Sequence, residues 1–127
     1  MTPIRMQKIE SAARIVMAFT EAFNQHDIPA MMQLVSDDCL FEETSPTPDG
    51  TTYSGKTAIT QYYHDFFTHS PQGHLKIEEL LGYGIHCIMR WRYDWVDAAG
   101  NPAHLRGLDL LRLQNGLICE KLSYIKG

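Results

Sequence analysis

A chain of 127 residues, 44% hydrophobic and 20% charged, has the size and makeup of a single globular domain, 1–127, with no room for a second. Its 11 Lys and Arg against 15 Asp and Glu give a net charge of −4, so no basic stripe is on offer to phosphate backbones and nucleic-acid partners are not expected. No apolar run approaches the roughly 20 residues of a membrane helix, and the opening MTPIRMQKIE lacks a signal-peptide apolar block, so a cytoplasmic protein without membrane partners is expected.

From Met6 to Phe23, the residues Ile9, Ala13, Val16, Phe19 or Thr20, and Phe23 recur at three- and four-residue steps, the stripe of an amphipathic helix. Asn24-Gln25-His26 ends it. Asp27 is placed to cap a second short helix, Ile28 to about Val35, with Pro29 at a position that needs no amide hydrogen. Cys39 to Glu43 reads as a short strand, and the Thr44 to Gly50 tract that follows is rich in residues that break regular structure. After Gly55, the set Ile59, Tyr62, Tyr63, Phe66 and Phe67 makes a third helix with an aromatic stripe, closed by Pro71 and Gly73.

Four strands are expected next, about His74 to Gly82, Ile85 to Asp97, Ala103 to Gln114 and Leu117 to Ile125. Asn115-Gly116 is the strongest turn signal, since both central positions of a tight hairpin turn need positive φ. Helices early and strands late make an α+β domain. The three cysteines, Cys39, Cys87 and Cys119, are odd in number and widely spaced, and read as reduced core residues rather than as disulfides or a metal knuckle.

Alternation along the strands carries the chemical information. Successive strand residues point to opposite faces, which groups Ile85, Cys87, Met89, Trp91, Tyr93 and Trp95 on one side. On the next strand, Leu105, Gly107, Asp109, Leu111 and Leu113 share a face, so one carboxylate stands among apolar residues. An unpartnered buried carboxylate either finds hydrogen bonds or takes up a proton, and a neutral acid is able to donate one. Asp109 is therefore a candidate for general acid/base work, against the competing reading of a structural carboxylate bonded to a tyrosine or a backbone amide. Cys39, Phe41 and Glu43 share a face by the same rule, which makes Glu43 a second candidate, against the reading of a solvated strand end.

The opposite strand face collects Arg90, Arg92, Arg106 and Arg112 with Ile88, Leu108 and Leu110. A half-apolar sheet surface of this kind suggests two copies packed face to face as a homodimer, unless the arginine stems cover the leucines unaided. There is no Walker sequence, no GxGxxG and no GxSxG elbow. His64, His69 and His74 recur every five residues, a spacing that does not share one helix face, so no metal is expected.

Ala22-Phe-Asn-Gln-His-Asp27, Leu34-Val-Ser-Asp-Asp38 leading into Phe41-Glu-Glu43, and Tyr53-Ser-Gly-Lys-Thr-Ala-Ile59 together resemble the NTF2-like superfamily. The closing run Gly107-Leu-Asp-Leu-Leu-Arg-Leu-Gln-Asn-Gly-Leu-Ile118 looks like the last strands of its SnoaL-like polyketide cyclases and ketosteroid isomerases. The resemblance implies a cystatin-like cone, in which about three helices pack on a strongly curved, mixed but mostly antiparallel sheet and enclose a pocket. It implies for Asp109 either the acid/base role of the cyclase aspartate or the protonated hydrogen-bond donor role of the isomerase one, puts Glu43 at the place of the isomerase general base, and puts Tyr63 at a helix tyrosine that supports the isomerase oxyanion hole. Where the isomerases carry their main oxyanion tyrosine this chain has Phe19, which argues against steroid isomerisation; Tyr53, Tyr62 and Tyr93 are the candidates to replace that hydroxyl.

The function implied is a cofactor-free isomerase or cyclase acting on a small hydrophobic carbonyl molecule, its pocket lined by Phe19, Tyr53, Tyr63, Trp91, Tyr93 and Trp95. The alternative is a non-catalytic dimeric binding module of the same fold. An epoxide-opening activity comes third, because it needs an Asp, Arg, Asp cluster and Arg106 has the wrong strand parity.

Overall fold

The computed structural model describes the backbone of residues 3–127 and the side chains of residues 11–127; Met6 and Ile9 of the first expected stripe lie outside the described side chains. Helix α1, Pro3–Asn24, buries Ala12, Val16, Phe19, Thr20 and Phe23, one stripe of a 3.6-residue period. Its C-terminus is clamped to the sheet by Asn24, whose Nδ2 donates to Leu75 O and whose Oδ1 accepts from Leu75 N, both at 2.8 Å. His26, at φ +56°, then turns the chain so that the Asp27 amide closes back on Ala22 O.

Helix α2, Ile28–Gln33, begins as the sequence suggests, with Asp27 Oδ1 accepting from Ala30 N at 3.1 Å and Pro29 in the first turn. Asp27→Ala is expected to cost about 1 kcal/mol, visible as a fall of a few degrees in the thermal midpoint with activity or ligand binding unchanged. Strand β1, Val35–Glu43, starts four residues earlier than the alternation indicates, and β2, Thr51–Ser54, pairs antiparallel to its outer edge. Helix α3, Lys56–His69, buries Ile59, Tyr63 and Phe67.

Four strands complete the chain: β3, His74–Tyr83; β4, His86–Val96; β5, Pro102–Gln114; and β6, Leu117–Ile125. The turn between β5 and β6 has Asn115 at φ +55° and Gly116 at φ +76°, the conformation its sequence calls for. Among the described residues, six strands form one sheet in the order β2-β1-β6-β5-β4-β3. All pairs are antiparallel except β1 with β6. The sheet is curved and unclosed, and the class is α+β. Register shifts between Ile77 and Glu79 and between Arg112 and Leu113 each mark an extra residue and a bend, and a longer irregularity separates Val35 from Leu40 in the pairing of β1 with β6.

Helix α1 packs on β3, β4 and β6, while α3 packs on β1 and β2, so the concave face is roofed by helices. The core between them is heavily aromatic, with Phe23 in ring contact with Tyr63, Phe66, Phe67 and Tyr93. Cys39, Cys87 and Cys119 are buried and free. No described helix is long and apolar enough to cross a membrane.

Candidate active site

Three adjacent strands deliver the polar heart of the concave face. In β5 and β6, Asp109 pairs with Ser123 and Leu111 with Lys121; in β1 and β6, Phe41 pairs with Lys121. Residues directly opposite share a face, and so do residues two apart on one strand. Asp109, Lys121, Ser123 and Glu43 are thereby brought together, at 5%, 5%, 8% and 9% exposure, far below what is usual for such side chains.

Their contacts are specific. Trp91 Nε1 donates to Asp109 Oδ1 at 2.9 Å. Lys121 Nζ donates to Glu43 Oε1 at 2.8 Å and to Ser123 Oγ at 3.0 Å, and lies 5.1 Å from the centre of the Phe41 ring. The remaining oxygen, Asp109 Oδ2, stands 3.9 Å from the same ammonium, close enough to attract but beyond hydrogen-bond reach. Asp109 is thus not the solitary acid that strand alternation suggests: a cation faces it, and two carboxylates share one ammonium.

Burial works against the charged form of Lys121, but the carboxylates of Glu43 and Asp109 outweigh it and hold the amine above its ordinary range. The residue is therefore an ammonium at neutral pH, a donor and a positive charge rather than a nucleophilic amine. Tyr63 is pushed well above its usual range, first by burial and then by Glu43 and Asp109, and Tyr62 moves the same way for the same first two causes, burial and Glu43. Both phenols remain proton donors throughout the physiological range.

These groups line a cavity of about 120 Å³ beneath α1 and α3. Of the expected lining residues, Phe19, Tyr63, Trp91 and Tyr93 border it, as do Asp109 and Glu43. Tyr53 does not; it lies in a separate surface groove beside Tyr62, their rings 4.7 Å apart, because β2 is the edge strand and stands outside the cone. Trp95 has the right parity but sits further along β4, stacked on the far side of Tyr93 at 5.6 Å and outside the cavity wall. Lys121 and Ser123 are members of this cluster that strand alternation in β4 and β5 does not point to. The signal was present, since alternation in β6 sets Cys119, Lys121 and Ser123 on one face.

Among the described residues no group of three His, Cys, Asp or Glu side chains converges to hold a metal. What the arrangement offers is a carboxyl group, Asp109, fixed by an indole, beside a buried cation in an aromatic-rich hollow.

The SnoaL-like domain family model matches residues 16–121. An NTF2-like protein of unknown function from Mesorhizobium loti shares 35% identity over 94% of each chain, with a TM-score of 0.80. A hypothetical protein with a ketosteroid isomerase-like fold from Catenulispora acidiphila, solved with trimethylamine, shares 20% identity over 87% of this chain and 83% of its own, with a TM-score of 0.77. TerC, crystallised with polyporic acid, is similar in fold at 14% identity, covering 91% of this chain and 92% of its own with a TM-score of 0.80. No curated protein sequence matches the chain. The extent of the domain match, together with the helix-roofed curved sheet, places this chain in the SnoaL-like family of NTF2-like proteins.

Proposed function

We propose that the protein is a cofactor-free isomerase or cyclase that moves a proton at the carbon beside a carbonyl of a small hydrophobic, polyketide- or ring-like molecule. Asp109 Oδ2 is the observation that carries this reading. Asp109 borders the cavity, and its Oδ2 receives no hydrogen bond among the described residues while Trp91 fixes the sister oxygen. An oxygen so placed takes a proton from carbon, leaving the electron pair to move onto the carbonyl oxygen as an enolate. Where the substrate carries a β,γ double bond the enolate is a dienolate, and returning the proton to its γ-carbon moves the double bond into conjugation and completes an isomerisation. If the enolate carbon instead attacks a second carbonyl, the same proton neutralises the new alkoxide and a ring is closed.

Glu43 acts as helper through charge, since its Oε1 is held by Lys121. That engagement, together with the modest cavity, also favours the second reading, a pocket that binds an apolar ligand and releases it unchanged. Exchange of ketone α-hydrogens in D2O, followed by NMR, separates the two. Asp109→Asn, which keeps the Trp91 bond within reach, is expected to slow exchange by roughly 10²–10⁴-fold with the circular dichroism spectrum unchanged. Undiminished exchange in the variant would remove Asp109 from the mechanism, and no exchange in the wild type with ligand recovered intact would favour the binding module.

The same reading has the protein working in the cytoplasm, where three buried thiols stay reduced, and as a homodimer through the outer sheet face. Leu81, Ile88, Leu110 and Leu122 occupy neighbouring register positions across β3 to β6, and Leu108 and Tyr124 beside them are exposed. Arg90 and Arg106 flank the row, paired to Glu79 and Glu78. Light scattering of the wild type is expected to give twice the chain mass and Leu110→Lys the single mass; a monomeric wild type sinks the dimer.

A further inference from the structure

Lys121 brings three N–H donors into the cavity wall, and the structure commits two of them, to Glu43 Oε1 and Ser123 Oγ. The third has no acceptor among the described residues, because Asp109 Oδ2 stands 3.9 Å away. The Lys121 side chain is only 6% exposed, so water does little to satisfy that donor. A charged, desolvated and uncommitted N–H favours any ligand that supplies an acceptor. The groups around it narrow the ligand. Glu43, Lys121 and Asp109 together carry one net negative charge when ionised, which repels a carboxylate, and the cavity wall also includes Phe19, Tyr62, Tyr63 and Trp91.

We propose that Lys121 is the carbonyl-binding residue of this cavity, its third N–H donating to the oxygen of a neutral ketone while Asp109 Oδ2 faces the adjacent carbon. The assignment rests on the reading of the cavity as a carbonyl site. It adds to the Tyr62 and Tyr63 phenols of the cavity wall a charged donor from β6, where Phe19 of α1 offers none. It also fixes the class of ligand as uncharged carbonyl compounds, with carboxylates excluded.

The probes are acetophenone labelled with ¹³C at the carbonyl, ethylbenzene of similar shape without the oxygen, and benzoate as the anion. In the wild type the isotope-edited infrared C=O band of bound acetophenone is expected at lower wavenumber than in an apolar solvent. Acetophenone is expected to bind at least tenfold more tightly than either ethylbenzene or benzoate. Removing Lys121 alone strands two carboxylates, so the variant used is Glu43→Gln with Lys121→Met, which keeps the net charge of the group. That double variant is expected to lose tenfold or more in acetophenone affinity, to return the C=O band to its apolar-solvent position, and to bind ethylbenzene as before.

A wild-type band that does not move overturns the assignment, as do equal losses for acetophenone and ethylbenzene, or a wild type that binds no acetophenone at millimolar concentration. Asp109→Asn keeps this proposal distinct from the proton-transfer reading. A shifted band that persists in that variant while α-hydrogen exchange disappears supports both. Exchange that survives Asp109→Asn rejects the proton-transfer role and leaves the Lys121 assignment to stand on the band shift.

Discussion

Lys121→Met is expected to lower the free energy of unfolding by about 3–5 kcal/mol, the range for removing one partner of a buried ion pair. The cause is less the lost attraction than what remains: Glu43 and Asp109, both buried, with no cation to share. Adding Glu43→Gln to the same chain removes one stranded charge and is expected to recover more than half of the loss, a non-additivity readable from urea midpoints. If Lys121→Met costs under about 1 kcal/mol, the ammonium is solvated and the site is not the desolvated one described. The same group sets an alkaline limit. Lys121, Tyr62 and Tyr63 are all held above their ordinary values of 10.5, 10.0 and 10.0, so folding favours the protonated form of each. Their contribution is whole below about pH 10 and declines above it, as the unfolded chain sheds protons that the folded chain retains. Stability of the wild type is therefore expected to fall beyond pH 10, and less steeply in the Lys121→Met variant, where only the tyrosines remain to contribute.

What could be read in the sequence was whatever local periodicity enforces. The aromatic stripe of α3, the alternation of β4 from Cys87 to Tyr93 and of β5 from Asp109 to Leu113, and the Asn115-Gly116 turn are each settled within a few residues, and the structure has them where the pattern puts them; Ile85, in the turn before β4, and Leu105, near the start of β5, are exposed instead. Strand β2 and the first half of β1 were not legible. Val35-Ser36-Asp37-Asp38 is poor in strand formers, and is extended because Val35 lies against Ile118 of β6, a partner more than eighty positions away. Thr51 to Ser54 is too short for alternation to register, and is a strand only because β1 needs a neighbour on its outer edge. The same limit applies at the site. Alternation set Asp109 on the inner face, but its cation comes from β6 and its second carboxylate from β1, and only the register of three strands brings them within reach. Lys121 itself carries the same local signal as Asp109, a charged residue on the inner face of its strand.

Gly107→Ala is expected to be nearly as damaging to stability as loss of Lys121, and to reach the site by a different route. Gly107 lies directly opposite Trp91 in the β4 and β5 pairing and opposite Ile125 in β5 and β6. With no side chain there, the indole lies across β5 and reaches the next inward residue, Asp109. An added methyl would stand 2.2 Å from Tyr124 O and 2.7 Å from Trp91 Cζ2. The second contact is with a side chain that is able to turn away, at the cost of its bond to Asp109. The first is with backbone, held in place by β6 pairing and by Lys126 N donating to Arg106 O at 2.8 Å, and has nowhere to go. A loss of about 3 kcal/mol, the upper part of the range for overpacking, is therefore expected, with a red-shifted tryptophan emission as the indole leaves its buried bond. Adding Trp91→Phe to Gly107→Ala distinguishes the two clashes. If the backbone contact dominates, the smaller ring restores little stability, whereas recovery of most of it would mean that Gly107 serves only to seat the indole.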